Sequence, residues 1–260
     1  EHPFFEASSI RKIGGKYYFI YSSWQNHELC YATSDLPDRD FVFGGTIVSN
    51  GDVGYHGRSE KDRLNMTGTT HGSIECINGQ WYVFYHRLTH KSDYSRQACA
   101  EPITILPDGS IPQVEITSCG LNGKPLHGTG TYPAVIACNI TNGHMSHGSN
   151  KIYTDSFPNA THCGEDRFIG EIQDGTMLGY KYFAFSGAKE IGVQYRGSCN
   201  GKFVVSDDMD GKNIVAEIPI APADAWTESR APLHISDGTH PLYLFYRGDG
   251  EAAVKELYLA

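Results

Sequence analysis

Long apolar runs are missing from this sequence. None approaches the roughly 20 residues that span a bilayer, so no transmembrane helix and no membrane partner are expected. Clustered Lys and Arg are missing too. With 21 basic against 30 acidic residues the formal charge is −9, and phosphate binding needs gathered positive charge, so no nucleic-acid partner is expected. The seven cysteines (Cys30, Cys76, Cys99, Cys119, Cys138, Cys163, Cys199) are odd in number and widely spaced, with no CxxC pair. Neither a zinc site nor a dense disulfide framework is therefore expected. Most should be small buried hydrophobes, a usage that leans towards a reducing compartment. An initiator Met is absent as well. The chain opens Glu1-His2-Pro3-Phe4-Phe5, so it is expected to start inside a longer protein, and the lack of a signal peptide excludes nothing. Asn65-Met66-Thr67, Asn139-Ile140-Thr141 and Asn159-Ala160-Thr161 match the glycosylation sequon, a pattern too short to assign anything by itself.

What is present favours strands. Hydrophobic residues make up 40% and aromatics 12%, weighted to Tyr (16) and Phe (12), with only 4 Met; that suits pleated, half-buried surfaces. At 260 residues the chain fits two ordinary domains or one large one. No segment reads as a helix.

An internal repeat points to the architecture. Ser9-Ile10-Arg11-Lys12-Ile13-Gly14-Gly15-Lys16-Tyr17-Tyr18-Phe19-Ile20-Tyr21 lies on Ser73-Ile74-Glu75-Cys76-Ile77-Asn78-Gly79-Gln80-Trp81-Tyr82-Val83-Phe84-Tyr85 with no gap, at an offset of 64 residues. Each copy reads as strand, Gly-containing turn, strand. A third β-like run follows each hairpin, at 29–33 and 96–101, and a fourth is plausible at 41–48. Four short antiparallel strands repeated along a chain describe propeller blades of about 40–50 residues, with the polar stretch 49–70 as a long loop. The bland alternative is two hairpins of one sandwich. Two blades cannot close a ring, so a propeller would need earlier blades ahead of residue 1.

Beyond Leu121 the texture changes. Gly120-Leu121-Asn122-Gly123-Lys124-Pro125 and Gly128-Thr129-Gly130 punctuate the chain like a link. Short β-like runs follow at 132–138, 168–172, 180–185, 191–195, 203–206, 214–218, 241–246 and 254–259, the cadence of a β-sandwich. The expectation is an all-β chain: a partial, two-blade β-propeller over 1–122 and a jelly-roll-like sandwich over 130–260.

In a propeller the innermost strands line a central channel, so Glu6 and His71, at the starts of the two copies, should converge near the axis. Phe4-Phe5-Glu6-Ala7-Ser8-Ser9-Ile10-Arg11-Lys12 with Tyr17-Tyr18-Phe19-Ile20-Tyr21-Ser22 resembles the fourth blade of glycoside hydrolase family 43. His71-Gly72-Ser73-Ile74, Trp81-Tyr82-Val83-Phe84-Tyr85-His86-Arg87 and Ser95-Arg96-Gln97 resemble its fifth and last. The resemblance, over roughly residues 1–120, implies a five-bladed inverting hydrolase that cleaves α-L-arabinofuranosides and β-D-xylosides of plant cell-wall oligosaccharides or polysaccharides. It implies Glu6 as general acid, Phe5, His71 and Arg96 as sugar-binding residues, and calcium approached by His71 directly or through water, with no organic cofactor. Ser8 and Thr70 depart from the common pattern, where Pro and Gly are usual. A Glu beside Phe4 and Phe5 should have its ionised form disfavoured by desolvation. The family's base, an Asp of the first blade, and a second Asp from a middle blade fall outside the chain; Asp35, Asp38 and Asp52 sit in outer-strand or loop positions and do not replace them. The chain alone is therefore expected to be inactive.

Ala223-Asp224-Ala225-Trp226 and Asp237-Gly238-Thr239-His240-Pro241-Leu242-Tyr243-Leu244-Phe245-Tyr246-Arg247-Gly248 are similar to family 6 carbohydrate-binding modules. Lys255 stands near the position where binding members carry an Asn, and Trp226 reads as a packing residue more than a sugar platform. The competing functional reading is a non-catalytic carbohydrate-binding protein.

Overall fold

Strands follow the repeat closely in the computed structural model, which describes residues 2–148 and 152–260. No α-helix occurs among the described residues; the chain is all-β. It divides into two compact units, Glu1–Ile116 with Ser146–Ile152, and Thr117–Met145 with Tyr153–Ala260.

In unit 1 the first copy forms β1 (Phe4–Ile13), β2 (Lys16–Ser23), β3 (Glu28–Ser34) and β4 (Val42–Ser49), paired antiparallel in that order. The second copy forms a three-stranded sheet of β5 (Ser73–Ile77), β6 (Gln80–Thr89) and β7 (Ser92–Ile103). The two hairpin turns match across the offset: Gly14 and Gly15 have φ of 55° and 90°, Asn78 and Gly79 of 51° and 85°. Two successive positive φ values match the twist of a tight hairpin, and Gly and Asn are the residues that reach them most easily. The loop between the copies contains short 3-10 turns at Asn50–Asp52, Tyr55–Gly57 and Glu60–Asp62.

Alternation along β2 sends Tyr18 and Ile20 to one face, where they meet Leu29, Tyr31, Ile47 and Val48 of their own sheet and Ile74, Val83 and Tyr85 of the other. Ile111 and Ile116, on the return segment after β7, close this core. Burying each such aliphatic side chain contributes about 1.5–3 kcal/mol. Tyr31 is 1% exposed, and its hydroxyl accepts the Ile111 N–H at 2.9 Å. A Cβ on Gly44 would lie 2.1 Å from the Tyr31 ring, so β4 passes the ring at a point only glycine can occupy.

The sequence-based boundary at 122–130 differs from the compact units, because Ser146–Ile152 belongs with unit 1. Its Ser146 carbonyl accepts the Thr67 N–H at 3.1 Å, and His147 Nδ1 lies 2.8 Å from Thr67 Oγ1.

Unit 2 contains β8 (Leu126–His127), β9 (Gly130–Pro133), β10 (Asn139–Thr141), β11 (Asn159–Cys163), β12 (Asp166–Ile172), β13 (Met177–Phe185), β14 (Glu190–Gly197), β15 (Asn200–Ser206), β16 (Ile214–Ile220), β17 (Ala223–Pro232), β18 (Gly238–Asp249) and β19 (Ala252–Leu259). One sheet runs β10-β13-β18-β15-β16 with β8 beside β13; the other runs β11-β12-β19-β14-β17 with β9 beside β19. Their inner faces share one core, including Ile169, Leu178, Tyr180, Phe183, Val193, Phe203, Leu244 and Val254. This is a β-sandwich.

Two expectations are corrected. The run 132–138 is a strand only to Pro133; Ala134–Ile136 is a 3-10 turn that tucks Ala134 into the core, its carbonyl accepting from the Tyr180 hydroxyl at 3.2 Å. Of the cysteines, all free, only Cys30, Cys138 and Cys199 are buried, and Cys76 and Cys163 are exposed. The three sequon asparagines are 4%, 0% and 7% exposed at Asn65, Asn139 and Asn159, so folding hides each amide.

Tyr31→Phe removes the acceptor of a buried N–H and should destabilise unit 1 by about 1–3 kcal/mol. A lower urea midpoint, together with lost hydrogen-exchange protection at the Ile111 amide, is the expected result.

Candidate active site

The two copies meet edge to edge along β1 and β5. Ser9 Oγ and Ser73 Oγ lie 2.9 Å apart, and Arg11 Nε donates to the Ile74 carbonyl at 3.1 Å. One step further along the same seam, Glu6 Oε1 lies 2.8 Å from His71 Nε2. The convergence expected of Glu6 and His71 is therefore direct. Register irregularities flank Glu6 on both sides of its pairing with Ser22, and Ala7 holds a left-handed φ of 57°. Bulges of this kind re-aim a side chain; here the side chain aimed across the seam is the Glu6 carboxylate.

His71 precedes β5 and is positioned from three directions. Its backbone N–H donates to His86 Nε2 at 3.2 Å, and the two rings meet edge-on at 5.4 Å. Thr69 N–H donates to Asn26 Oδ1 at 3.0 Å. Asn50 Nδ2 donates both to Thr70 Oγ1 at 2.7 Å and to the His86 carbonyl at 3.0 Å. Thr70 is fully buried, so the departure from the usual glycine is used here: its hydroxyl is an acceptor that the segment needs. Gly72 has no such freedom. A Cβ there would lie 1.9 Å from the Phe84 carbonyl oxygen, because β6 crosses directly over it.

Since His86 Nε2 accepts a hydrogen bond, the ring proton is assigned to Nδ1, a buried atom without a partner. Burial, then the positive charge of Arg96 and of His71, depresses His86 from 6.5 to about 4. Arg96 is exposed. Its guanidinium donates to the Asp93 carbonyl at 3.3 Å, and it pairs with no carboxylate among the described residues. Its charge thus acts on His86 without a carboxylate to neutralise it.

The rings beside Glu6 differ from expectation. Phe4 packs on Phe19 and Tyr21 at 5.6 and 6.0 Å, Phe5 packs on Trp24 at 4.9 Å, and the Glu6 side chain keeps 44% of its surface in water. Their role is aromatic surface next to the carboxylate more than enclosure of it. Asp52 is buried and accepts the Ile116 N–H at 2.8 Å, Asp35 lies 3.6 Å from Lys16 and Asp38 3.1 Å from Arg39; all three have structural partners. Calcium takes six to eight oxygen ligands, and the described contacts of His71 supply a single carboxylate, so the described residues around His71 do not by themselves complete a site for that ion.

In unit 2, Trp226 Nε1 donates to Asp166 Oδ2 at 2.8 Å, the Arg196 guanidinium lies 4.4 Å over the ring, and Lys255 Nζ holds Asp166 Oδ1 at 2.7 Å. The indole is a clamped packing residue. Lys255, near the place of a sugar-binding Asn, is tied into the same cluster.

No family model matches the chain. Against curated proteins it is 46% identical over 272 aligned residues to a xylosidase/arabinosidase of Thermoclostridium stercorarium, covering 99% of this chain and 56% of that protein. The chain resembles the xylosidase/arabinosidases. It spans about half the length of this relative. Among solved structures, a glycoside hydrolase family 43 arabinoxylan arabinofuranohydrolase from Bacillus subtilis aligns over 99% of this chain and 54% of its own, with a TM-score of 0.51 and 18% identity, a likeness of fold. A family 6 carbohydrate-binding module from Clostridium cellulolyticum aligns over 52% of this chain and 98% of the module, with a TM-score of 0.43 and 14% identity.

The sequence reading missed His86, Asn50 and Asn26. A signal existed for His86: it sits 64 residues after Ser22, which pairs with Glu6. The asparagines carried none, since the loop contacts that give them meaning are long-range.

Gly72→Ala should cost about 1–3 kcal/mol or more and separate His71 from Glu6, read as a lower denaturation midpoint and a changed His71 ring environment by NMR. His86 stays neutral in the folded chain down to about pH 4, whereas an unfolded imidazole takes its proton near 6.5. The unfolded state therefore binds more protons in that window, so stability falls as pH drops from about 6.5 towards 4. The His86 ring resonance should titrate near 4, and replacement by Asn should flatten this part of the stability profile.

Proposed function

We propose that the two sheets of unit 1 are the last two blades of a five-bladed glycoside hydrolase family 43 propeller. The whole protein would then be an inverting α-L-arabinofuranosidase or β-xylosidase acting on plant cell-wall oligosaccharides or polysaccharides. Unit 2 is read as a family 6 carbohydrate-binding-module-like sandwich attached to it. The observation that carries this reading is the 2.8 Å contact between Glu6 Oε1 and His71 Nε2, which brings the leading polar groups of both repeats to one place. The 46% identity to a xylosidase/arabinosidase supports the substrate class.

Inversion needs a protonated carboxyl to donate to the departing glycosidic oxygen and an ionised carboxylate on the other face to activate water, about 6.5–9.5 Å away. Glu6 is the proton donor in this scheme. His71 holds one carboxyl oxygen, which leaves the other, on a half-exposed side chain, directed at the leaving group. Arg96, with no carboxylate partner, donates to hydroxyls of the sugar next to the scissile bond. Phe5, backed by Trp24, offers a ring face to the apolar side of a pentose. Asp35, Asp38 and Asp52 do not suit the role of base: Asp52 is enclosed and Asp35 and Asp38 are occupied at the surface. A base from outside these 260 residues completes the pair.

In the full-length protein, Glu6→Gln should lower turnover of glycosides with poor leaving groups by about 10²–10⁴-fold while sparing activated aryl glycosides. Equal loss on both substrates would remove Glu6 from the acid role. The 260-residue chain alone should show no arabinofuranosidase or xylosidase turnover, and robust hydrolysis by it would refute the assignment of blades.

A further inference from the structure

Apart from the Glu6–His71 seam, unit 1 gathers metal-ligating chemistry at a second place. His2 Nδ1 lies 2.5 Å from Glu28 Oε1, and one ligand atom each of His2, Glu28 and Cys30 fall within 4.8 Å of one another. Glu28 and Cys30 are two apart on β3 and so share a face. Both are buried, at 3% and 0% exposure. Two hydroxyls orient the carboxylate: Ser23 Oγ donates to Oε1 at 2.5 Å and Thr46 Oγ1 to Oε2 at 2.9 Å, while Thr46 Oγ1 also lies 3.6 Å from the Cys30 sulfur. His2 and Glu28 open into a pocket of about 310 Å³ whose wall also carries His27 and Glu60, with His27 Nε2 3.6 Å from Glu60 Oε1.

We propose that His2, Glu28 and Cys30 form a site for a divalent transition-metal ion of the zinc type, with its fourth position open to the pocket. One imidazole nitrogen, one carboxylate oxygen and one sulfur form a donor set that suits zinc or cobalt, whereas calcium and magnesium require oxygen ligands. Bond lengths of about 2.0–2.3 Å place tetrahedral ligand atoms about 3.3–3.8 Å apart, which the present spacing reaches by small side-chain shifts. Ligation displaces the hydrogen bond between His2 and Glu28 and releases the Cys30 thiol proton to solvent. Ser23 and Thr46, already fixed on Glu28, act as the outer partners that orient a ligating carboxylate. Cysteine spacing carries no sign of such a site, because these ligands come from three separate positions with no CxxC pair.

Cobalt titrated into the full chain tests this, in a background where the exposed Cys76 and Cys163 are changed to Ser. The expected result is one equivalent bound, with a sulfur-to-metal charge-transfer band in the near ultraviolet that zinc abolishes and excess calcium does not. Cys30→Ser should remove that band, and Glu28→Gln and His2→Ala should each weaken binding by about tenfold or more. His2 is partly exposed, so His2→Ala reports on ligation without disturbing the core. Failure to bind one equivalent, a band that survives Cys30→Ser, or unchanged affinity in His2→Ala would each overturn the site.

Discussion

Three short polar contacts fix the seam between β1 and β5, and everything at the candidate site depends on that seam. Neither sheet of unit 1 can cover its own apolar face: Tyr18, Ile20 and Tyr31 on one side and Ile74, Val83 and Tyr85 on the other are hidden only because the sheets share a core. Hydrogen bonds at a partly exposed edge contribute roughly 0.5–1.5 kcal/mol each, well below what the shared core supplies through several buried side chains. Packing thus sets how close the sheets come, and the rungs Ser9–Ser73, Arg11–Ile74 and Glu6–His71 set which residue faces which. The carboxylate is placed by the core beneath it.

Much of this was legible in the sequence because it is periodic. The 64-residue offset carries the hairpins and their turns, and it sets His71 level with Ala7, one step from Glu6, so two copies of one pattern that pack together bring Glu6 and His71 close. Strands with one buried face were equally visible, as in Ile191, Val193 and Tyr195. What alternation cannot reveal is an edge strand with little burial: β17, which carries Trp226, is exposed over most of its length and reads like a loop. Nor does local pattern reveal long-range polar ties. Asn26, Asn50 and His86 act through partners 15 to 43 residues away, and the return of Ser146–Ile152 to unit 1 has no local mark at all.

The two units use aromatic residues in opposite ways. In unit 1, Phe5 and Trp24 stack on each other with Trp24 65% exposed, leaving ring faces open beside a carboxylate. In unit 2, Trp226 is covered by Arg196, backed edge-on by Phe168 at 5.5 Å and fixed through its indole nitrogen. A guanidinium above a ring is attracted by the ring's electron-rich face and occupies the surface on which a sugar would stack. Aromatic content alone, therefore, does not distinguish an open platform from a clamp; the partners of each ring do.

The approach of Gly44 to Tyr31 has a reach beyond its own strand. The ring that forbids a side chain on β4 also ends in the hydroxyl that holds the Ile111 amide, 80 residues along the chain. Any residue larger than glycine at position 44 would push the phenol aside and let go of the backbone that seals the far end of the same core. A single aromatic side chain works here as a lever, so that the outermost strand and the returning segment tolerate change only in concert.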